Sequence, residues 1–184
     1  MGVDKRALPL RGISLLERVL VRVRPLSGRV VTIGGDPILE PLGVPTLPDL
    51  YPGAKSMGGI ATALAHAAAT GGPEAWLLCV ACDMPFLEPS LLSYLAELIP
   101  GRDVVVPRVE LGFEPLCAIY RATCLPGFQR EIGAGNLRIF DVYKAVRVRE
   151  VREEELRRLD PDLRSFFNVN RPADLEKAIL LMEG

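Results

Sequence analysis

The chain has 184 residues, and 49% of them are hydrophobic, which is enough to bury the core of an α/β domain. Its 22 basic and 23 acidic residues leave a net charge of −1, so the chain lacks the electrostatic signature of a protein that binds duplex nucleic acid. No apolar run approaches the ~20 residues of a membrane span. The first residues contain no signal-peptide-like stretch, and we expect a cytoplasmic protein whose residues 1–184 form a single domain.

Helical and strand patterns alternate along the chain, which predicts an α/β fold with a mostly parallel central sheet. We expect helices over Ile13–Arg24, Ile60–Thr70, Pro89–Ile99, Pro126–Ile132, Leu137–Tyr143 and Pro172–Met182. We expect strands over Arg29–Ile33, Pro45–Leu47, Ala75–Ala81, Asp103–Pro107, Pro115–Tyr120 and Ala145–Arg149, and a last short strand that ends at Val169.

Two of the four cysteines, Cys79 and Cys82, form a C-x-x-C pair, a spacing that also occurs in redox and zinc sites. Both lie in the apolar run WLLCVACD, which is typical of a buried strand, and no second pair has zinc-finger spacing. We therefore expect buried structural thiols, with redox or metal chemistry as the alternative.

Asp83 is the strongest single candidate for catalysis. It follows the apolar strand predicted over Ala75–Ala81, so its carboxylate is expected just beyond the carboxyl end of that strand, where ligands of open α/β sheets bind. A carboxylate held at this edge suits Mg²⁺, which proteins hold with one or two carboxylates together with substrate phosphates. The alternative from position alone is an aspartate that caps the next turn.

Two glycine-containing stretches are candidates for phosphate binding. At the N-terminus, Gly2 and Lys5 combine a backbone turn with a point charge that can reach a phosphate, although the same residues are compatible with an irregular terminus. The stretch Asp49–Gly59 is predicted to be a loop. It carries Lys55 and Ser56 and leads into a helix N-terminus, which favours anions. A plain connecting loop is the alternative.

Polar side chains near the C-terminal half are candidates for contacts with a second substrate. Asn168 and Asn170 lie in F-F-N-V-N, and strand alternation would place both amides on one side, where they can bind a polar ligand. Turn chemistry before the last helix explains them equally well. Arg138 follows G-A-G-N-L at a predicted helix start and can reach a phosphate, or it is an exposed helical arginine.

The motifs follow one another in the order of a known family pattern. The opening MGVDKRALPLRG matches the second half of L-A-G-G-x-S-x-R-M-G-x-D-K-x-L-L-x-L-x-G. The further matches are Tyr51-Pro52-Gly53 with Met57–Ile60, the C-D-M-P-F of Cys82–Phe86, Pro115–Tyr120, Gly135–Arg138 and the F-x-N-V-N-x-P-x-D-L of Phe166–Leu175. On these motifs the sequence resembles the molybdenum cofactor guanylyltransferases, the MobA family, within the nucleotidyltransferases of nucleotide-diphospho-sugar-transferase fold.

The resemblance implies a three-layer Rossmann-like fold and a Mg²⁺-dependent transfer of GMP from GTP to the molybdopterin cofactor, which yields the guanine dinucleotide form and pyrophosphate. By position it assigns nucleotide contacts to Gly2, Lys5, Asp49, Gly58 and Asp83, and the Mg²⁺ to Asp83. Lys55 stays a candidate nucleotide contact from its place in the Asp49–Gly59 loop. It assigns the molybdopterin side to Arg138, Asn168 and Asn170, and catalysis to Lys5, Asp83 and Arg138. The implied partners are small molecules and cofactor-biosynthesis or molybdoenzyme-loading proteins, with neither nucleic acid nor membrane.

The sequence departs from the family pattern in two places. Lys55-Ser56-Met57 replaces a frequent G-P-L, so a related enzyme that uses CTP or a sugar phosphate stays an alternative. The first strand, the L-A-G-G and the arginine of R-M-G have no counterpart, so the resemblance implies a sheet without that first strand. We hypothesise that Met1 is an internal methionine and that residues 1–184 alone bind GTP poorly. A non-catalytic homologue without the glycine-rich loop is the last alternative.

Overall fold

The computed structural model describes residues 8–34 and 42–183. It begins with a small hairpin of β1 (Pro9–Leu10) and β2 (Ile13–Ser14), followed at once by α1 (Leu15–Val23). A capping box starts the helix: the Glu17 backbone N–H donates to the Ser14 hydroxyl (3.2 Å), and the Ser14 N–H donates to the Glu17 carboxylate (2.9 Å). The apolar stripe of α1 is buried, as its period predicts.

The remaining elements alternate between strands and helices. In chain order they are β3 (Thr32–Ile33), β4 (Thr46–Leu47), α2 (Lys55–Gly71), β5 (Trp76–Val80), α3 (Pro89–Glu97), β6 (Val104–Val109), β7 (Gly112–Phe113), β8 (Cys117–Arg121), α4 (Leu125–Gly133), α5 (Ile139–Tyr143), β9 (Val148–Arg152), α6 (Glu153–Leu156) and α7 (Pro172–Leu181). Within the described ranges, no helix is long and apolar enough to cross a bilayer.

The central sheet of the described residues has five strands. β8 pairs antiparallel with both β5 and β6, β9 pairs parallel with β6, and the short β7 pairs antiparallel with β6. Consequently β5, β6 and β9 run in one direction, and β7 and β8 run against them. β3 and β4 form a separate two-stranded parallel pair. This arrangement agrees with the predicted α/β fold. The strand β8 was predicted over Pro115–Tyr120, but its antiparallel direction was not.

Helices cover both faces of the sheet. On one face, α1 and α3 pack against alternate residues of β5, including Leu78 and Val80. On the other face, α2 and α4 pack against the intervening residues, including Leu77 and Cys79. The sheet is thus the middle of three layers. Successive residues of β5, of Val104–Val106 in β6 and of Cys117–Tyr120 in β8 are apolar because both faces are covered there.

Several element boundaries differ from the sequence prediction, including those of β9 and α2. The strand expected over Ala145–Arg149 lies at Val148–Arg152, where its register with β6 is set by long-range pairing rather than by local sequence. The helix expected from Ile60 begins at Lys55, so the loop before it ends at Ala54 instead of Gly59. Gly58 and Gly59, which were assigned to the loop, lie inside the helix.

Candidate active site

Asp83 lies at the carboxyl end of β5, as its position in the sequence predicted. The hydrogen bonding between β5 and β8 continues one residue past the end of β5, because the Ala81 N–H donates to the Leu116 carbonyl oxygen (2.8 Å). The chain then turns at Met84 and Pro85, both of which are buried, and Asp83 itself is half-buried. A buried turn after a sheet strand fixes the backbone that carries the carboxylate.

The segment with both asparagines is bound directly to Asp83. The Val169 N–H donates to the Asp83 carbonyl oxygen (2.9 Å), and Val169 is 1% exposed. Asn168 and Asn170 flank this contact, so the structure brings these three predicted site residues together at one edge. Asn168 is half-buried, with its amide donating to the Phe166 carbonyl (3.0 Å), and Asn170 is exposed.

The expected strand ending at Val169 is absent from the described residues. Residues 164–166 form a 3₁₀ turn, and residues 167–170 are irregular. The hydrogen bond from the Val169 N–H to the Asp83 carbonyl oxygen joins this segment to the end of β5, where paired strands would form a ladder of such bonds. Among the described residues, this backbone hydrogen bond and the packing around it hold the two asparagines beside Asp83.

Three further contacts hold this junction, and sequence reasoning identified none of them. The Glu88 N–H donates to the hydroxyl of the fully buried Ser165 (2.9 Å), and the rings of Phe86 and Phe167 pack edge-to-face with centroids 5.9 Å apart. The buried Asp160 carboxylate accepts from the Ser165 N–H (2.7 Å). The sequence gives no signal for these contacts, because Ser165 and Glu88 are 77 positions apart.

Asp49 occupies the loop before α2, where it is tied to that helix. Its Oδ1 accepts from the Tyr51 N–H (2.9 Å) and from the hydroxyl of Thr62 (3.0 Å), which is 2% exposed. The same hydroxyl accepts from the Leu50 N–H (3.0 Å). Among the described residues nothing bonds to Oδ2, so half of the carboxylate can take a ligand. Thr62 was not predicted as part of the site; a lone threonine in an alanine-rich helix is the only signal.

The start of α2 departs from ordinary helix chemistry. Lys55 has a positive φ of 52°, a conformation that glycine favours, and its cation lies at the positive end of the helix dipole. Three residues on, Gly58 packs closely on the loop: a Cβ there would be 2.7 Å from the Tyr51 carbonyl oxygen and 3.1 Å from the Ala54 Cβ. Gly58 is therefore placed to hold the loop against the helix.

Arg138 is exposed at the position before α5, where its N–H donates to the Asn136 side-chain oxygen (3.2 Å). The adjoining Leu137 and Ile132 share a pocket of about 270 Å³ with the loop Tyr51–Ala54. The structure thus brings the start of α5 beside the Asp49 loop. Gly2 and Lys5 lie outside the described residues, and their assignments stay predictions.

A carboxylate set that would enclose a metal by itself does not occur in residues 8–34 and 42–183, since these contain no group of three or more candidate ligands. One aspartate at a strand end fits Mg²⁺ of the kind that takes its other ligands from phosphates and water. The four cysteines are thiols and form no disulfide bond. Burial raises the pKa of the Cys79 thiol to about 12 and that of Cys124 to about 11, so thiolate chemistry at neutral pH is disfavoured.

Known proteins resemble this chain in sequence and in fold. The family model described as a MobA-like NTP transferase domain matches residues 1–148. The chain belongs to this family of nucleotidyltransferases. A probable molybdenum cofactor guanylyltransferase of Pelotomaculum thermopropionicum is 37% identical over all of this chain and 88% of its own length. The molybdenum cofactor guanylyltransferase of Desulfosudis oleivorans is 35% identical over 96% of this chain and 86% of its own.

Solved structures agree with the family membership. Molybdopterin-guanine dinucleotide biosynthesis protein A from Archaeoglobus fulgidus superimposes with a TM-score of 0.81 at 30% identity, covering 99% of this chain and 92% of that one. The 2-C-methyl-D-erythritol 4-phosphate cytidylyltransferase of Thermus thermophilus has a TM-score of 0.70 at 18% identity, covering 98% and 94% of the two chains. The second likeness shows the shared fold alone.

Proposed function

We propose that the chain transfers GMP from GTP to the molybdopterin cofactor and releases pyrophosphate, the activity that the names of its relatives describe. The hydrogen bond from Val169 to Asp83 carries the proposal. It joins the residue expected to bind the metal to the asparagines expected to bind the acceptor, at the edge of the sheet where α/β enzymes bind ligands. Two motifs far apart in the sequence therefore form one site.

The Asp49 loop supplies the base-recognition part of the proposal. Because Oδ1 is occupied by Thr62 and Tyr51, the orientation of the carboxylate is fixed and Oδ2 is left to accept hydrogen bonds. Guanine presents two neighbouring N–H donors on its pairing edge, whereas cytosine presents a single amino group there. A fixed carboxylate acceptor therefore favours GTP over CTP.

In the proposed reaction, an oxygen of the molybdopterin terminal phosphate attacks the α-phosphorus of GTP. The bond from that phosphorus to the bridging oxygen breaks, and pyrophosphate leaves with the electron pair. Such a reaction needs positioning and charge neutralisation rather than a covalent protein intermediate. Lys5 and Arg138 would neutralise phosphate charge, and Asn168 and Asn170 would orient the acceptor. Mg²⁺ held by Asp83 would supply further charge stabilisation when bound.

Pyrophosphate release from GTP, molybdopterin and Mg²⁺ tests the proposal. We expect release that depends on all three and stops when EDTA removes the metal. We expect Asp83→Asn to lower the rate roughly a thousandfold, because several kcal/mol of charge stabilisation are lost. Glu97→Gln, which neutralises an exposed carboxylate at the end of α3, is the matched control and should keep the parent rate. No pyrophosphate release from the parent, with the Asp83→Asn variant equally inactive, would favour a non-catalytic homologue.

A panel of nucleoside triphosphates separates the related activities. Preference for CTP would reject guanylyl transfer, and pyrophosphate release with a sugar phosphate instead of molybdopterin would change the acceptor class.

We further propose that the reaction takes place in the cytoplasm and that the product passes to molybdoenzyme-loading proteins. Detection of the guanine dinucleotide form bound to a molybdoenzyme after mixing would test that transfer.

A further inference from the structure

Glu114 lies at the same edge of the sheet as Asp83. Val80, the last residue of β5, pairs with Cys117, the first residue of β8. The chain reaches Asp83 three residues after Val80, and it passes through Glu114 three residues before Cys117. Because β5 and β8 are antiparallel, the residues after β5 and the residues before β8 lie at the same end of the sheet. Glu114 is thus beside the carboxyl end of β5, where the candidate site lies.

Backbone hydrogen bonds hold Glu114 on both sides. Its N–H donates to the Pro107 carbonyl oxygen (3.0 Å), which continues the pairing of β7 with β6. Its carbonyl oxygen accepts from the Cys117 N–H (3.0 Å) and closes the turn that leads into β8. The side chain therefore starts from a backbone position that the sheet fixes.

The side chain of Glu114 lies on the face of the sheet that α1 and α3 cover. In β7, Phe113 packs on Tyr143 (ring centroids 5.5 Å apart), on the face that α2 and α4 cover. Side chains alternate along a strand, so Glu114 falls on the opposite face. Burial raises the pKa of the Cys117 thiol, and the negative charge of Glu114 raises it further. The carboxylate is therefore near Cys117, a residue of the α1 and α3 cluster.

The same face carries residues 166–170, the segment that was assigned to the acceptor. Phe166 packs against the α1 and α3 cluster, and Val169 bonds to Asp83. The loop proposed to recognise the base lies on the other face, where its Tyr51 packs against the α2 and α4 cluster. Glu114 is therefore on the acceptor side of the candidate site.

The Glu114 carboxylate is half-buried, and no hydrogen bond or ion pair from residues 8–34 and 42–183 reaches it. Burial raises the pKa of Glu114, because partial removal of water disfavours the charged form. The buried Asp160 carboxylate, by contrast, accepts from the backbone N–H groups of Arg164 and Ser165. A half-buried carboxylate that the fold leaves unpaired is suited to a donor that a ligand brings.

Charge decides which part of a substrate can pair with Glu114. The phosphates of both proposed substrates are negative, and they repel a carboxylate at short range. The pterin ring of the proposed acceptor is uncharged and presents two adjacent N–H donors, the ring N3–H and the 2-amino group. A carboxylate can accept from both donors with its two oxygens.

We propose that Glu114 binds the N–H edge of the pterin and thereby determines that the acceptor is a pterin. This inference rests on the proposed function, which supplies a pterin phosphate as the acceptor. One carboxylate oxygen would accept from N3–H and the other from the 2-amino group. Glu114 would bind and orient the acceptor, and it would take no part in making or breaking bonds at phosphorus.

Two fluorescent probes test this contact directly. They are 6-hydroxymethylpterin phosphate and the corresponding lumazine phosphate, in which a carbonyl oxygen replaces the 2-amino group. The lumazine has no two adjacent N–H donors and turns an oxygen toward the carboxylate. By fluorescence titration, we expect the parent to bind the pterin about 10–100 times more tightly than the lumazine. Equal Kd values for the two probes would overturn the proposal.

Glu114→Gln should remove the preference between the probes. The amide keeps the size of the side chain but turns an NH₂ group toward the donors of the pterin. We expect the Kd for the pterin to rise about 10–100-fold, while the Kd for the lumazine changes little. Glu110→Gln removes an exposed carboxylate from the turn between β6 and β7 and is the matched control, which should keep the preference of the parent. A Glu114→Gln variant that still prefers the pterin would contradict the proposal.

Stability separates a ligand contact from a structural role. Glu114→Gln removes a half-buried charge that the described residues leave unpaired, so we expect its Tm to be at or above that of the parent. A Tm several degrees below that of the parent would mean that the carboxylate stabilises the fold, which the proposal does not allow.

Two further measurements distinguish this inference from a metal role and from the proposed function. If Glu114 held Mg²⁺, Glu114→Gln would raise the Mg²⁺ concentration needed for pyrophosphate release and weaken both probes equally, which would refute a pterin contact. A parent protein that prefers the pterin probe but releases no pyrophosphate would refute GMP transfer and support this inference. Pyrophosphate release from GTP and molybdopterin, without any preference between the probes, would refute this inference alone.

Discussion

The two halves of the candidate site are held in different ways. The Asp49 loop is fixed by neighbours within thirteen positions in sequence, through the Thr62 hydroxyl and the close approach of Gly58. The Asp83 junction is fixed by contacts between distant segments, including Ser165 with Glu88, 77 positions apart. The first half needs little beyond α2 to keep its shape, whereas the second needs the sheet, the turn after β5 and residues 160–170 together.

Because the two halves are held differently, substitutions in them should have different effects. A change in the Asp49 loop should alter nucleotide binding while most of the fold stays intact. A change at the Asp83 junction should alter stability and turnover together, because one contact serves both. Measurements of Tm, KM for GTP and kcat on the same variants can test whether the two halves respond in these different ways.

The largest effect is expected at Gly58. Gly58→Ala places a methyl group 2.7 Å from the Tyr51 carbonyl oxygen, so loop and helix must separate. We expect a loss of about 1–3 kcal/mol in the free energy of unfolding, after the helix propensity gained by alanine is allowed for. KM for GTP should rise. Gly59→Ala is the control, because its Cβ meets nothing within 4 Å and alanine should stabilise the helix by up to about 1 kcal/mol. Equal Tm values for the two variants would refute the close-packing role.

The next effect is expected at Ser165. Ser165→Ala removes the acceptor of the Glu88 N–H and leaves that donor unsatisfied, at a cost of about 1–2 kcal/mol by urea unfolding. We expect kcat to fall with the Tm, because residues 167–170 lose an anchor beside Asp83. Ser90→Ala removes a hydroxyl from an exposed helix position and should change stability by less than about 0.5 kcal/mol. A fall in Tm with kcat unchanged would mean that the junction does not position the catalytic groups.

The difference between local contacts and contacts of distant segments also explains how much of the molecule the sequence predicts. The helix period, the Ser14 cap and the position of Asp83 after a strand are local signals, and the structure agrees with them. The start of α2 was predicted too late because glycine and lysine disfavour a helix start, and the packing of Gly58 on Tyr51 overrides that preference. Asp160 and Ser165 were missed because their partners are distant in sequence, and no local pattern reports such a pair.

A substitution at Thr62 tests the Asp49 half of the site, with a smaller expected effect on stability. Thr62→Val keeps the shape of the side chain and removes the hydroxyl that bonds Asp49 and Leu50. We expect a loss of about 1 kcal/mol, because the half-buried Asp49 can recruit water in its place. KM for GTP should rise while kcat stays near the parent value. Thr62→Ser should restore KM. A kcat change without a KM change would place Asp49 in the chemical step rather than in base recognition.

The smallest effect on stability is expected at Lys55, and it separates strain from charge. A lysine at φ 52° costs of the order of 1 kcal/mol, which Lys55→Gly would relieve at a smaller cost in unfolded-state entropy. We expect stability to rise by less than about 1 kcal/mol. Lys55→Ala keeps the strain and removes the charge. If Lys55 contacts the nucleotide, both variants should raise KM for GTP equally while their Tm values differ. If the two variants have equal Tm values and the parent's KM for GTP, then the positive φ of Lys55 neither strains the fold nor serves nucleotide binding.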